Sequence, residues 1–449
     1  MSKETISIAD RSLLSLTWPI FIDLFFIFMI NVTDAWFLSR ISDDAAAAVG
    51  AMLPILGIGF ALYSTIHQAG NSVASQRLGA KDFVNLAGTY GSLIIISLLA
   101  GLFMAIVFIF GADLFISLMG LTNELASMSQ VYLQTLGMGT WLLALKFAAT
   151  AILASQGQTK WNMWSTALMS VINVVFNYLL IDGKFGMPAL GVQGIAIASV
   201  LAWGLSLFFS FYIIYRHFNV KINFPHSWQS LKKMSAPIAR IATPSIIEPM
   251  SWQLTQLVMT SMVVMMGSIS LATRIYSFNL LFITILYGMA ISAGVQIKVA
   301  FLIGARKHSL AQQELIKGVK IGVIGVVIFM TILISYSHYF YSIFTTNKEI
   351  WLLGTSLLFV AILGELGRSF NLIVGASLRA CGDAKYTSVI GFISMWFIAV
   401  PLAWLFGVHL AWGLVGVWLG TSIDEAIRGV SNMRRWHSKR WQSKGLYAK

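Results

Sequence analysis

The sequence predicts an all-α polytopic membrane protein, with twelve transmembrane helices in two six-helix lobes related by pseudo-twofold symmetry. Three observations lead there. Of 449 residues, 57% are hydrophobic and only 10% charged, with a mean hydropathy of +0.79, whereas a soluble domain is about a quarter charged. Apolar runs recur at the roughly 20-residue length that crosses a bilayer as a helix. The chain also repeats itself once, at a separation of 225 residues.

The first apolar run begins near Leu13, after "MSKETISIADR". No small-residue cleavage site follows it, so it reads as a retained span and not a signal peptide. Spans starting near Ala46, Val84, Ala126, Asn162 and Gly194 complete an N-terminal lobe over 13–216, behind a cytoplasmic N-terminus at 1–12. The longest polar connection, "RHFNVKINFPHSWQSLKKMS", supplies a cytoplasmic linker at 217–235. Spans starting near Pro237, Ser270, Lys317, Ile350, Thr387 and Ala411 form the C-terminal lobe, 236–430, followed by a basic cytoplasmic tail, 431–449. Almost no chain remains for a soluble domain. A single cysteine, Cys381, excludes an internal disulfide and a Cys-cluster metal site.

The repeat is local and specific. "WPIFID" matches "TPSIIE", which sets Pro19 against Pro244 and Asp23 against Glu248, each pair 225 residues apart. "RLGAKD" and "LIGARK" align at the same separation, as do "LASQGQTKW" and "LRACGDAKY", while "GVQGIAIAS" and "GLVGVWLGT" lie 222 apart. A tandem duplication with matched basic turns on the same side gives parallel repeats of six spans, with a cleft between lobes as the place for a substrate.

The net charge of +13 is distributed as a topology signal and not as a nucleic-acid surface. With the N-terminus inside, Arg77, Lys81, Lys160, Lys232, Lys233, Arg306 and the tail "RRWHSKRWQSK" all fall on the cytoplasmic side. The opposite loops carry little more than Arg40, Lys184 and Lys348 beside several acids, the positive-inside pattern of a bacterial inner (plasma) membrane protein with both termini cytoplasmic. The tail reads as a solvated topology determinant, with binding of anionic lipid as the other reading. No Walker A segment, no "HExxH" and no clustered His or Cys ligands occur, so the chain is not read as an enzyme and needs no cofactor.

The segments "WPIFID…NVTDAWFLSRIS", "QRLGAKD", "SQGQTKWNMW…INVVFNYLLIDGKFGMPALGVQG" and "ELGRSFNLIVGASLRACGDAKY" resemble the multidrug and toxic compound extrusion (MATE) family over nearly the whole chain. The resemblance implies a V-shaped pair of lobes. It also implies a cation-driven antiporter that expels amphipathic, mostly cationic organic compounds, as a monomer in lipid.

Polar residues inside the spans are the functional candidates. Asp34 lies near the outer end of the first helix, and Asn173 and Asn177 share a face of the fifth at i, i+4. Counted from the outer boundary, Asp34 and Asn177 differ in depth by about one 1.5 Å rise, and Asn31 is one turn below Asp34. Desolvation there disfavours a charged carboxylate, which suits an exchangeable proton; the same oxygens suit Na+. The alternative is that the amides only bond neighbouring helices. By resemblance, Asp34 matches the family's first-helix acid and Asn173 an asparagine of its fifth helix. One branch carries a second acid where Asn177 stands, so Asp34 is left as the single titrating group of this lobe, coupled to H+ or Na+.

Asp23 and Glu248 sit at a common depth and each follows a proline by four residues. They form either an electronegative chamber for organic cations or structural pairs with Lys146, Arg240 or a backbone amide. Glu365 and Arg368, at i, i+3 on the tenth helix, pair locally or face the cleft; family members carry acids on the seventh and tenth helices, in a different register from these. Ser199 on the sixth helix completes the cleft candidates. Aromatic and Met content suits flat cations, and serves lipid contact equally well.

Two rivals remain to an exporter. A channel lacks a filter run such as "TVGYG". A lipid-linked oligosaccharide flippase of the same superfamily is expected to have a basic cleft, whereas the intramembrane charges here read as mainly acidic.

Overall fold

The structure, a computed structural model, describes residues 8–217 and 220–447. Residues 1–7 of the N-terminal segment, 218 and 219 of the linker, and 448 and 449 of the tail lie outside the described residues. The described chain is helical throughout. The main helices are α1 (Leu13–Ile41), α2 (Asp43–Gly79), α3 (Phe83–Phe110), α4 (Asn123–Ser155), α5 (Thr159–Leu180) and α6 (Val192–Tyr212). They continue as α7 (Ile247–Val264), α8 (Ser268–Gly304), α9 (His308–Ser335), α10 (Lys348–Ala380), α11 (Ala384–His409) and α12 (Gly413–His437).

Ten of these are long and apolar enough to cross a membrane. The remaining two, α7 and α12, complete the expected twelve helices and are the more polar members of the set. Glu248 opens α7, and α12 carries Asp424, Glu425 and Arg428. Their charges are compensated by tertiary partners, so the local sequence need not be apolar.

Two compact units divide the chain: Met1–Arg11 with Trp18–Ala239, and Ser12–Thr17 with Arg240–Lys449. In the first unit, short cappers fix the helix starts: the Ser42 side chain accepts from the Ala45 amide at 3.0 Å, and Asp82 accepts from that of Asn85 at 3.3 Å. α1 runs unbroken through Pro19. In the second unit, α11 accommodates Pro401 between two π-helical stretches, Met395–Ala399 and Trp404–His409. Wider turns of this kind absorb a residue that offers no N–H.

Helices pack in lipid through close contact of small residues and not through expulsion of water. A Cβ on Gly367 of α10 would stand 2.5 Å from the Ala426 nitrogen of α12, and one on Gly420 of α12 would stand 2.5 Å from the Ala403 nitrogen of α11. These approaches bring the charged faces of α10 and α12 together.

Each of the two repeated turns is sealed by a different part of the chain. Beside Gly157, Ile8 packs and Arg11 donates to the glycine carbonyl at 2.5 Å. Beside its repeat partner Gly382, the Lys444 carbonyl lies 2.6 Å from where a Cβ would be. The basic tail is therefore docked and not solvated as expected: Trp441 is 1% exposed and stacks on Trp436 at 4.2 Å, and Arg435 donates to Asp383 at 2.7 Å. The aromatic residues within "RRWHSKRWQSK" outweigh its charge because they find an apolar seat.

Candidate functional site

In the first unit, α1, α2, α4, α5 and α6 surround a cavity of about 320 Å³. Asp34 and Asn31 of α1, Lys146 of α4 and Ser199 and Trp203 of α6 are among its lining. Asn177 of α5 donates through Nδ2 to Asp34 Oδ1 at 2.6 Å and to Asn173 Oδ1 at 3.2 Å, and Asn173 Nδ2 donates to Ser199 Oγ at 3.3 Å. Carboxylate, two amides and a hydroxyl thus form one chain of hydrogen bonds. Both asparagines are buried, at 1% and 0% exposure. Asn177 Oδ1 is also buried and makes no hydrogen bond. A proton donor or a cation arriving beside Asp34 would satisfy it, since an unpaired buried acceptor costs on the order of 1–3 kcal/mol.

Asn31 departs from expectation. It faces the same cavity, but its Nδ2 donates back to the Ile27 carbonyl at 3.2 Å. The i−4 carbonyl is the nearest acceptor for a short amide on a helix.

Asp23 and Glu248, equivalent in the repeat, have different surroundings. Asp23 lies near enough to Lys146 for their charges to interact, without a direct ion pair among the described residues, and its Oδ1 is buried without a hydrogen bond. The Lys146 ammonium donates to Thr166 at 2.9 Å. Glu248 instead accepts from Arg379 at 3.0 Å and from Arg428 at 3.4 Å. The expected pairing of Glu248 with Lys146 or Arg240 is corrected to these two arginines. They also neutralise the negative potential expected of it.

Glu248 belongs to a wider network in the second unit. Glu365 is 3% exposed, is bonded by Arg368, and accepts from Thr284 at 2.6 Å. Arg368 reaches Glu425 at 3.3 Å, and Arg428 bonds both Asp424 and Glu425 at 2.8 Å. Asn371 donates to the other Glu425 oxygen at 3.0 Å. The intramembrane charges of this unit are therefore mixed and mostly paired, which corrects their reading as mainly acidic.

Sequence reasoning passed over Arg274, Arg379, Asp424, Glu425 and Arg428. A signal was present for three of them. "SIDEAIRGV" places two acids at i and i+1 and an arginine at i+4, a spacing that pairs on a helix. For Arg274 and Arg379 the partners lie on other helices, and no local spacing marks them.

A family model described as MatE matches residues 19–179 and again 244–405. The chain is 35% identical over 445 residues to "Uncharacterized transporter YisQ" of Bacillus subtilis (strain 168), covering 98% of this chain and 97% of that one. It is 23% identical to "Probable multidrug resistance protein NorM" of the same organism, over 93% of each chain. A solved structure described as an outward-facing conformation of a multidrug resistance MATE family transporter of the MOP superfamily aligns with a TM-score of 0.89 at 20% identity, over 99% of both chains. A MOP superfamily transporter from Pyrococcus furiosus, described as having a binding pocket of reverse polarity, aligns with a TM-score of 0.88 at 18% identity, also over 99% of both.

Proposed function

The chain belongs to the MatE family of ion-coupled membrane transporters, and on that footing we propose that it is a secondary active multidrug antiporter. It exports amphipathic, mostly cationic organic compounds in exchange for H+ or Na+ by alternating access. The observation that carries this reading is the pairing of Asp34 with Asn177 at 2.6 Å on the wall of a cavity of about 320 Å³. A carboxylate there has one oxygen engaged by an amide and faces space large enough for ligand atoms, so proton, Na+ and organic cation compete for one charge.

Competition of this kind is sufficient for exchange. A ligand shifts a conformational equilibrium only through different affinity for the two states. Coupling-ion occupancy at Asp34, with Asn173, Asn177 and Asn31 around it, favours one arrangement of α1, and substrate in the same cavity favours the other. Lys146 and Ser199 shape the cavity floor and wall. In this reading both termini and the turns after α2 and α4 face the cytoplasm of a bacterial cell, and the monomer is the working unit.

Ethidium efflux from vesicles, with Na+ and proton gradients imposed separately, tests the proposal. Efflux driven by either gradient supports it and identifies the ion. Ethidium movement that follows no ion gradient refutes it. The flippase and channel alternatives predict lipid-linked substrate movement and passive conductance respectively, each measurable in the same vesicles.

A further inference from the structure

The floor of the large cavity in the first unit leads into polar groups that the exporter reading leaves unused. Lys146 of α4 lines this cavity and is buried, and its ammonium makes one hydrogen bond among the described residues, to Thr166 Oγ1 of α5 at 2.9 Å. An ammonium carries three N–H donors, so two remain. His67 of α2 lies within electrostatic reach of Lys146, with its imidazole 5.9 Å from the ring of the adjacent Phe147. His67 Nε2 is buried and makes no hydrogen bond, as is true of Asp23 Oδ1 on α1.

One helical turn further on, the pattern repeats. Thr150 follows Lys146 by four residues on α4, and Asn162 precedes Thr166 by four on α5. The two helices join through the short turn at 156–158, so Thr150 and Asn162 both lie about 6 Å nearer that turn. Asn162 Nδ2 donates to the Thr150 carbonyl at 3.0 Å, while Asn162 Oδ1 and Thr150 Oγ1 are buried without a hydrogen bond. Each layer thus makes one bond between α4 and α5 and leaves polar atoms over, a surplus that helix pairing does not require. Buried polar atoms without a protein partner are ordinarily bonded by water. Two hydrogen bonds of about 2.8 Å span about 5.6 Å, so a single water bridges layers one turn apart.

We propose that these layers are the route by which the coupling proton leaves the cavity for the cytoplasm, with Lys146 and His67 as its carriers. Water held by Thr150 and Asn162 continues the route toward the turn at 156–158. The Lys146 ammonium passes a proton to His67 Nε2 and takes its replacement from cavity water, where Asp34 releases one. The imidazolium passes its proton to the water below, which releases one toward the turn. Each carrier ends as it began, and one proton has crossed. Asp23, whose charge acts on Lys146, supplies the counter-charge for the ammonium. Na+ has no exchangeable proton and would have to pass an ammonium, so the ion that uses this route is H+. This inference rests on the exporter reading above and deepens it by naming the ion and its way out.

Two rates measured on the purified full-length protein in liposomes test it. Ethidium efflux driven by a proton gradient needs a proton released in every turnover, whereas exchange of external for internal ethidium at equal pH needs none. Lys146→Arg keeps a positive charge on a group that does not give up its proton, and His67→Gln keeps hydrogen bonding without proton exchange. Each is expected to lower the ratio of driven efflux to exchange about a hundredfold, the low end of what a positioned proton carrier contributes. If arginine does not insert at position 146, His67→Gln decides alone. A ratio equal to that of the wild type overturns the proposal, and this includes equal losses of both rates, the mark of a structural role. Wild-type efflux driven by Na+ and not by protons overturns the route but leaves the exporter reading standing. Ethidium movement that follows neither gradient overturns both.

Discussion

Glu425 is where the second unit has most to lose from one substitution. It is 6% exposed, accepts from Arg428 at 2.8 Å and Arg368 at 3.3 Å through one oxygen, and from Asn371 at 3.0 Å through the other. Glu425→Gln preserves volume and keeps one acceptor oxygen, but removes the charge that two guanidinium groups share. Breaking a buried ion pair by deleting one partner costs about 3–5 kcal/mol. Arg368 retains Glu365, and Arg428 retains Asp424 and Glu248, so the low end applies, about 3 kcal/mol. For a cooperative unit of about 200 residues, each 1 kcal/mol shifts Tm by about 2–4 °C, which gives a fall of about 6–12 °C. Intrinsic tryptophan fluorescence on heating in detergent measures it. Arg428→Met leaves Asp424 without an arginine partner and weakens two more carboxylates, so its Tm is expected to fall further. A Glu425→Gln shift under about 2 °C, or Arg428→Met proving the milder change, would show that the network does not hold α10 and α12 together.

Other perturbations separate residues that the repeat makes look alike. Asp34→Asn is expected to insert normally, to keep only weakened ethidium binding and to lose gradient-driven efflux; wild-type efflux rates under an imposed gradient refute its coupling role. Asp23→Asn is expected to raise the apparent KM for cationic dyes with little change in Tm, whereas Glu248→Gln strips a ligand from both Arg379 and Arg428 and lowers Tm. Identical behaviour of the two variants argues against their different settings. Trp441→Ala empties a seat that is 1% exposed and is expected to cost about 3 kcal/mol and to open the tail to protease; unchanged cleavage of the tail contradicts the docked arrangement. Cysteines placed at Lys160 and Lys233 are expected to label from the same side of sealed vesicles, and labelling from opposite sides overturns the parallel repeat.

The sequence by itself determined the membrane class, the duplication and the layer in which Asp34 meets Asn177. Each depends on patterns carried along the chain: apolar run length, a repeat at 225 residues, and residue counts from a helix end at a fixed rise. Asn173 and Asn177 were legible because i, i+4 spacing is geometry that a helix enforces by itself. Tertiary structure decided where charge is neutralised. Asp23 and Glu248 occupy the same place in the repeat, yet one lies beside Lys146 without a direct bond and the other between Arg379 and Arg428. No local pattern encodes that difference, because the partners come from helices more than a hundred residues away in the chain. Folding also decided the setting of the tail, whose basic residues suggest solvent while Trp436 and Trp441 stack out of it. Hydropathy and spacing act through neighbours in sequence; a buried charge answers only to its neighbours in space.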